Sequence, residues 1–219
     1  LFCVGCSGDS TSNPDAGQMT CSESWQCTPW TTTGSGSNQA TRVCTDTKQC
    51  GTTMTKPTES ATLPALDLNF YKCQVEPIFD NKCSQLACHG TETDRALRIY
   101  SRGRLRNATE MLTETGCLSA GTMRSASTCI GSIECICWTG PHTPTEWQRN
   151  FDSARGFALD QNGQRIAQGM EDTSELLAQP VVGGRSHTGI HVFRKTDSDY
   201  LTIKQWLSGQ TLATCNTTN

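Results

Sequence analysis

Cys83-Ser-Gln-Leu-Ala-Cys88-His89-Gly90 places two thiols and one imidazole within a few residues of one another. A pair of cysteines followed directly by a histidine is typical of covalent haem attachment, because the thiols form thioethers with the porphyrin while the imidazole binds the iron. The common motif has two residues between the cysteines, whereas this chain has four. The longer spacing permits attachment if the intervening residues bulge. The stretch predicts one covalent haem c held by Cys83, Cys88 and His89; the alternative is a chance Cys-His pair in a cysteine-rich chain.

The residues around this motif extend the pattern in both directions. Upstream lies Gln74-Val-Glu-Pro77-Ile-Phe79-Asp-Asn-Lys-Cys83. Downstream lie Ser174-Glu-Leu-Leu177-Ala-Gln-Pro180, Gly183-Gly184-Arg-Ser-His187-Thr-Gly189, Asp199-Tyr200-Leu201 and Trp206-Leu207-Ser-Gly209. In this order they resemble the exported c-type cytochrome domains of bacteria, over residues 70–95 and 172–210. The resemblance implies a mainly α cytochrome c-like domain with long disulfide-rich loops.

The second axial ligand of the iron must come from outside the motif. His187 lies in a Gly-flanked turn, where backbone can approach a cofactor closely. It also holds the matching place in the resembling pattern, which implies His187 as distal ligand and a low-spin bis-His haem. His191 and then His142 are the next candidates, and Met170 and Met123 are further alternatives that would raise the reduction potential. Two histidine ligands would block substrate access, so we expect electron transfer and no enzymatic activity.

The chain carries fourteen cysteines, which bear on its location. Disulfides persist in oxidising compartments, so the count predicts an exported protein: periplasmic, at the cell surface or extracellular in a bacterium. With two cysteines on haem, twelve remain, enough for six disulfides. Cys6 is a candidate lipid anchor, and the alternative is a local disulfide role for Cys3 and Cys6. Since no run of eighteen apolar residues occurs, no transmembrane helix is predicted.

Composition limits the kind of core that the chain can build. Hydrophobic residues make up 35% and aromatic residues 6%, which predicts a thin core supplemented by disulfides and a buried cofactor. The net charge of −3 argues against general binding to nucleic acid or anionic lipid. A basic run follows the haem motif, and its alternatives are pairing with haem propionates, docking of an acidic redox partner, or a solvated face. The run consists of Arg95, Arg98, Arg102, Arg104 and Arg106.

Residues 21–57 have the marks of a separate small module. They carry Cys21, Cys27, Cys44 and Cys50 together with Trp25, Trp30 and Arg42, and almost no aliphatic side chains. Two disulfides and Trp–Arg stacking could hold such a module. The pattern resembles a short thrombospondin type 1 repeat, which implies a β-rich fold. Its role would be docking to a partner, to the cell surface or to other copies of the chain, or that of a spacer.

The predicted organisation is therefore a tail at 1–20, the module at 21–57, a linker at 58–66 and the cytochrome domain at 67–219. Residues 96–171 are predicted as an insertion, with a cysteine-rich loop at 117–137. Pro77 predicts two short turns before the haem motif. Helices are predicted over 108–116 and 145–158 and in a last segment capped by Asp197 or Ser198 and ended by Gly209.

These observations predict an exported monohaem cytochrome that passes electrons to redox partner proteins, other cytochromes or its own copies. Two alternatives stay open. One is a haem-free, disulfide-rich secreted binding or structural protein. The other is a haem enzyme with an open coordination position, such as a peroxidase.

Overall fold

The structure is a computed structural model, which describes residues 21–32, 34, 36–85, 88–90, 95–101, 104–107, 129–130, 134–137, 142–185, 187 and 191–215. Several sequence-based predictions lie outside these residues. They are the tail with Cys3 and Cys6, the helix at 108–116, Met123, Arg102 and most of the loop at 117–137.

The N-terminal module consists of short antiparallel strands. Strand β1 (Trp25–Cys27) pairs with β4 (Cys44–Asp46), and β2 (Thr31–Thr32) pairs with β3 (Gln39–Thr41). Disulfides join Cys21 to Cys50 and Cys27 to Cys44. The Arg42 guanidinium lies 4.2 Å from the centre of the Trp30 ring. The predicted β-rich module, stapled by two disulfides and a Trp–Arg stack, is confirmed.

The middle of the stretch predicted as a linker, residues 58–66, belongs to this module's sheet. Strand β5 (Ser60–Thr62) pairs with β3, and Ala61 and Leu63 are buried beside Trp30. Only Ala61 points inward from this short strand, between exposed Ser60 and Thr62. A single small apolar residue gives too weak an alternation to identify a strand from sequence.

The chain is helical without interruption from Leu68 to Lys82, directly before Cys83. Helix α1 (Leu68–Phe70) continues as a π-helical turn (Tyr71–Val75) and then as α2 (Glu76–Lys82). The sequence predicted two separate turns, because proline lacks the N–H that a helix interior needs. Here the Glu76 N–H donates to the Tyr71 carbonyl, which widens the ladder directly before Pro77 and lets proline occupy the first turn of α2.

The two longer helices agree with the sequence prediction. Helix α3 (Pro144–Arg155) begins with a capping box between Thr143 and Glu146 and is followed by a 3₁₀ turn (Gly156–Ala158). After a second 3₁₀ turn (Glu171–Thr173) come α4 (Glu175–Ala178) and α5 (Ser198–Leu207), and the chain leaves α5 through Gly209 at a φ of +95°.

One main core unites these helices. Tyr71, Phe151 and Trp206 pack against each other at its centre. Leu97 and Ile99 belong to it as well. Both ends of the predicted insertion, 97–99 and 151–158, thus supply core residues. A disulfide between Cys73 and Cys215 ties the C-terminal segment to the π turn.

A third sheet follows the order β6 (Arg104–Asn107), β8 (Glu134–Cys137), β7 (Cys129–Ile130). The chain thus combines a disulfide-stapled β region with several helices, and a mainly α class is not confirmed. The three disulfides fit an oxidising environment. Within the described residues, none of the helices has the length and apolar character needed to cross a membrane.

Candidate functional site

The loop after α2 folds back on itself and keeps Cys88 and His89 beside Cys83. The His89 N–H donates to the Cys83 carbonyl at 3.1 Å, and the Gly90 N–H donates to the Gln85 carbonyl at 3.0 Å. A Cβ atom on Gly90 would lie 2.1 Å from the Ser84 carbonyl oxygen. Only glycine permits this close approach, so the Gly90 that follows the Cys-His pair has a steric reason to be there.

Cys83 and Cys88 are the free thiols among the cysteines whose side chains are described; the others form disulfides. Burial raises the pKa of Cys83 to about 12, and the nearby Cys88 adds to the shift. The Cys83 thiol is therefore protonated at neutral pH, which leaves it a poor nucleophile for disulfide exchange.

His89 is oriented by a backbone carbonyl. Its Nδ1 lies 2.9 Å from the Leu97 carbonyl oxygen, and because a carbonyl only accepts, Nδ1 carries the proton. The lone pair is then on Nε2. Burial lowers the pKa of His89, and Arg95 and His187 add to this effect. A neutral imidazole fixed through Nδ1 in this way is the form that binds a metal ion.

His187 stands opposite His89 across a cavity. The two ring centres are 6.3 Å apart and the ring planes differ by 28°. The preceding turn depends on two glycines: Gly183 has a φ of +76°, and a Cβ on Gly184 would lie 2.2 Å from the Ala178 carbonyl oxygen. Within the described part of the chain, the buried Nδ1 of His187 has no hydrogen-bond partner.

The cavity between the two imidazoles has a volume of about 330 Å³ and mostly apolar walls, within the range of cofactor pockets. Its lining residues come from the loop after α2, the segment before α3, the 3₁₀ turn after it, α4 and the stretch that leads to α5. The apolar ones are Phe79, Leu97, Phe157, Leu176, Pro180, Val192 and Phe193; the others are Lys82, Cys83, Gln85, Cys88, His89, Glu175, Gln179 and His187.

The structure thus brings together Cys83, Cys88, His89 and His187, whereas the alternative ligands among the described residues lie elsewhere. His191 is exposed and Met170 is 54% exposed, and neither lines the cavity. His142 lies 2.8 Å from the Tyr100 carbonyl oxygen, in a different cluster.

The basic run is not a uniformly solvated face. Arg98 is buried, donates to the Ile99 carbonyl at 2.7 Å and stacks on the Tyr100 ring at 4.0 Å. Arg95 is exposed. Arg98 therefore packs within the protein, which charge alone did not indicate.

Sequence reasoning missed a second polar cluster, in which Glu76 and Asp80 of α2 lie beside His142. The four-residue spacing of the two carboxylates was the available signal, since it puts them on one helix face.

Comparisons of the chain with protein-family models, with curated proteins and with solved structures find no significant match. What the site can do follows from its own residues.

Proposed function

We propose that this chain is an exported monohaem c-type cytochrome that carries single electrons. Haem c would be attached through Cys83 and Cys88 and bound axially by His89 and His187. One observation carries the proposal: these four side chains, from two segments far apart in sequence, line the same apolar cavity.

The separation of the two imidazoles fits a shared metal. A bond from a first-row metal to an imidazole nitrogen is about 2.0–2.1 Å, and the ring centre lies about 1.1 Å further on, so two opposed imidazoles put their centres about 6.3 Å apart. The observed value is 6.3 Å. The buried, unpartnered Nδ1 of His187 is a further polar atom at this site that a bound group or a ring rotation would satisfy.

The state of the thiols supports covalent attachment. A bond between Cys83 and Cys88, or from either to another cysteine, would have removed the atoms that form thioethers. Both are free while six other described cysteines are paired. Thioether formation would also remove a buried polar S–H group at Cys83 and replace it with apolar carbon–sulfur contacts.

When bound, haem supplies a one-electron couple at iron. His89 and His187 would both hold the iron, which would leave no position for substrate, and the phenylalanine- and leucine-lined walls would exclude water. The Leu97 carbonyl makes the His89 imidazole more basic by accepting a hydrogen bond from its Nδ1–H, and a more basic ligand would favour oxidised iron. These features support transfer of electrons without bond chemistry.

The test is production of the tag-free chain in a bacterium that exports it together with the haem-attachment machinery. Intact mass spectrometry after denaturation should show a gain of one haem, and the pyridine haemochrome spectrum should be that of a haem with two saturated vinyl positions. The matched control is the same chain made without that machinery, which should show neither signal.

Cys83→Ser/Cys88→Ser should lose the covalent adduct while the three disulfides stay intact. Electron paramagnetic resonance of the oxidised wild type should show a low-spin bis-His iron. A wild type without a mass adduct, or with Cys83 and Cys88 joined in a disulfide, would overturn the proposal.

A further inference from the structure

A second polar cluster includes two residues of α2 that do not line the cavity. Glu76 and Asp80 project from one face of this helix, and His142 approaches them from the residue pair before α3. His142 Nε2 lies 3.5 Å from Glu76 Oε1 and 3.8 Å from Asp80 Oδ1. One ligand-type atom from each of the three residues therefore falls within 4.8 Å of the others.

A fourth oxygen completes the cluster. The Tyr100 carbonyl oxygen lies 2.8 Å from His142 Nε2. Ligand atoms that share one ion at bond lengths of about 2.0–2.2 Å lie about 3.0–3.5 Å apart. Of the observed separations, 3.5 Å lies within this range, and 2.8 and 3.8 Å lie about 0.2 and 0.3 Å outside it.

Asn150 orients these oxygen atoms through hydrogen bonds. Its Nδ2 donates to Glu76 Oε1 and, at 2.8 Å, to the Tyr100 carbonyl oxygen, while its Oδ1 accepts from the Tyr100 N–H at 2.7 Å. Supporting hydrogen bonds of this kind orient the ligands of metal sites.

Two of the three side chains in the cluster are almost fully buried: Glu76 and His142 are 1% and 5% exposed. The Glu76 and Asp80 carboxylates repel each other when both are ionised, and the repulsion is strongest where water is excluded. A divalent ion would neutralise both carboxylates at once. The Asp80 side chain is 27% exposed, which gives such an ion a route from solvent.

Glu76 also carries a buried oxygen that a bound ion would satisfy. The neighbouring Tyr71 hydroxyl acts on Glu76 as a hydrogen-bond donor and lowers its pKa, although the distance and angle between the two groups are not those of a well-formed bond. Within the described part of the chain, Glu76 Oε2 and Tyr71 Oη are both buried without a hydrogen-bond partner. Native proteins leave few such atoms unsatisfied, and those that remain call for an explanation such as an ion.

We propose that Glu76, Asp80, His142 and the Tyr100 carbonyl form a binding site for one divalent first-row metal ion, of the zinc or manganese class. Carboxylate and imidazole ligands together suit these ions. The His142 Nε2 proton would move to Nδ1 or to solvent when the ion binds. The inference does not depend on haem, because the cluster and the cavity share none of these residues.

The test uses the tag-free full chain, purified without chelator and desalted. Elemental analysis should find one equivalent of zinc or manganese per chain, counted separately from iron. After treatment with a chelator, titration with zinc chloride followed by calorimetry should show one site, and zinc should raise the thermal midpoint. X-ray absorption at the zinc edge should show nitrogen and oxygen ligands, including one imidazole, and no sulfur.

Asp80→Asn and His142→Gln should each weaken zinc binding at least tenfold, whereas His191→Gln, at an exposed histidine, should not change it. Far-UV circular dichroism checks that each variant folds, and the zinc-edge spectrum of the wild type keeps the proposal testable if His142→Gln does not fold.

The proposal is overturned if the wild type neither contains nor binds zinc or manganese, if sulfur ligands appear, or if Asp80→Asn binds zinc as tightly as the wild type. The pyridine haemochrome assay on the same samples reports haem separately, so a failure of this site is distinct from a failure of the proposed electron carrier.

Discussion

Replacing Glu76 by glutamine should remove a pH dependence from the stability of the metal-free protein. Burial raises the pKa of Glu76 to about 8 from its ordinary value of 4.5, and the Asp80 carboxylate adds to the shift. Glu146 also raises it, whereas Tyr71 and Asn150 lower it. Between these two values the native state keeps a proton that the unfolded chain has lost. The contribution of Glu76 to stability is therefore full below pH 4.5 and is lost as the pH rises towards 8.

The size of this effect follows from the shift. Each pKa unit corresponds to about 1.4 kcal/mol, so the free energy of unfolding of the wild type should fall by about 3–4 kcal/mol, relative to Glu76→Gln, between pH 5 and pH 8. Zinc should reverse the loss at the upper end of this window, because the ion takes the place of the proton. Because the two proteins differ only at residue 76, the contributions of all other titrating groups to the pH dependence cancel in the comparison.

The assay is urea denaturation followed by circular dichroism from pH 4 to pH 8.5, in the presence of a chelator. Glu59→Gln is the matched control. A hydrogen bond from Lys56 lowers the pKa of the Glu59 carboxyl, so this substitution should change the pH dependence of stability only at the acidic end of the range. If the difference in free energy of unfolding between wild type and Glu76→Gln does not change with pH, the reasoning is refuted. Such a result would indicate that Glu76 is ionised as a partner of protonated His142.

Three other perturbations have clear expected results. His187→Ala should keep the covalent haem and let the reduced protein bind carbon monoxide, which a shift of the Soret band would show. His191→Ala should not bind carbon monoxide. Binding of carbon monoxide by the wild type would contradict two histidine ligands. Arg155→Met should lower the free energy of unfolding by about 3–5 kcal/mol in urea, because it leaves the buried Asp152 carboxylate without its cation; a loss below about 1 kcal/mol would contradict this role. Removing the disulfide between Cys73 and Cys215, which are 142 residues apart, should lower the free energy of unfolding by about 5 kcal/mol according to the chain-entropy relation. An unchanged urea midpoint would contradict this expectation.

The longer helices could be predicted because their signals are local. Thr143 and Glu146 form a capping box at a fixed spacing, and Tyr200, Ile203 and Trp206 repeat with the period of a helix. The π turn before Pro77 could not be predicted, since it depends on how the Tyr71 carbonyl pairs with an N–H five residues on.

The role of the middle of the chain also escaped sequence analysis. Leu97 and Ile99 flank Arg98 in a stretch too short to establish a period, yet they enter the main core, and the Leu97 carbonyl accepts a hydrogen bond from His89. The strand at Ser60–Thr62 went unnoticed for a similar reason, because one buried alanine is too small a signal. In each case, the burial of the residue depends on the other segments of the chain that pack against it.

Cys83, Cys88 and His89 lie within one seven-residue stretch, so their order in the sequence limits how far apart the two thiols and the imidazole can be. That much follows from the order of the amino acids. Which histidine faces His89, and which stays among carboxylates, depends on segments distant along the chain. The glycine-flanked turn favoured His187 over His142 already in the sequence, but the packing of α2 against the rest of the chain is what puts His187 at the cavity and His142 beside Glu76 and Asp80.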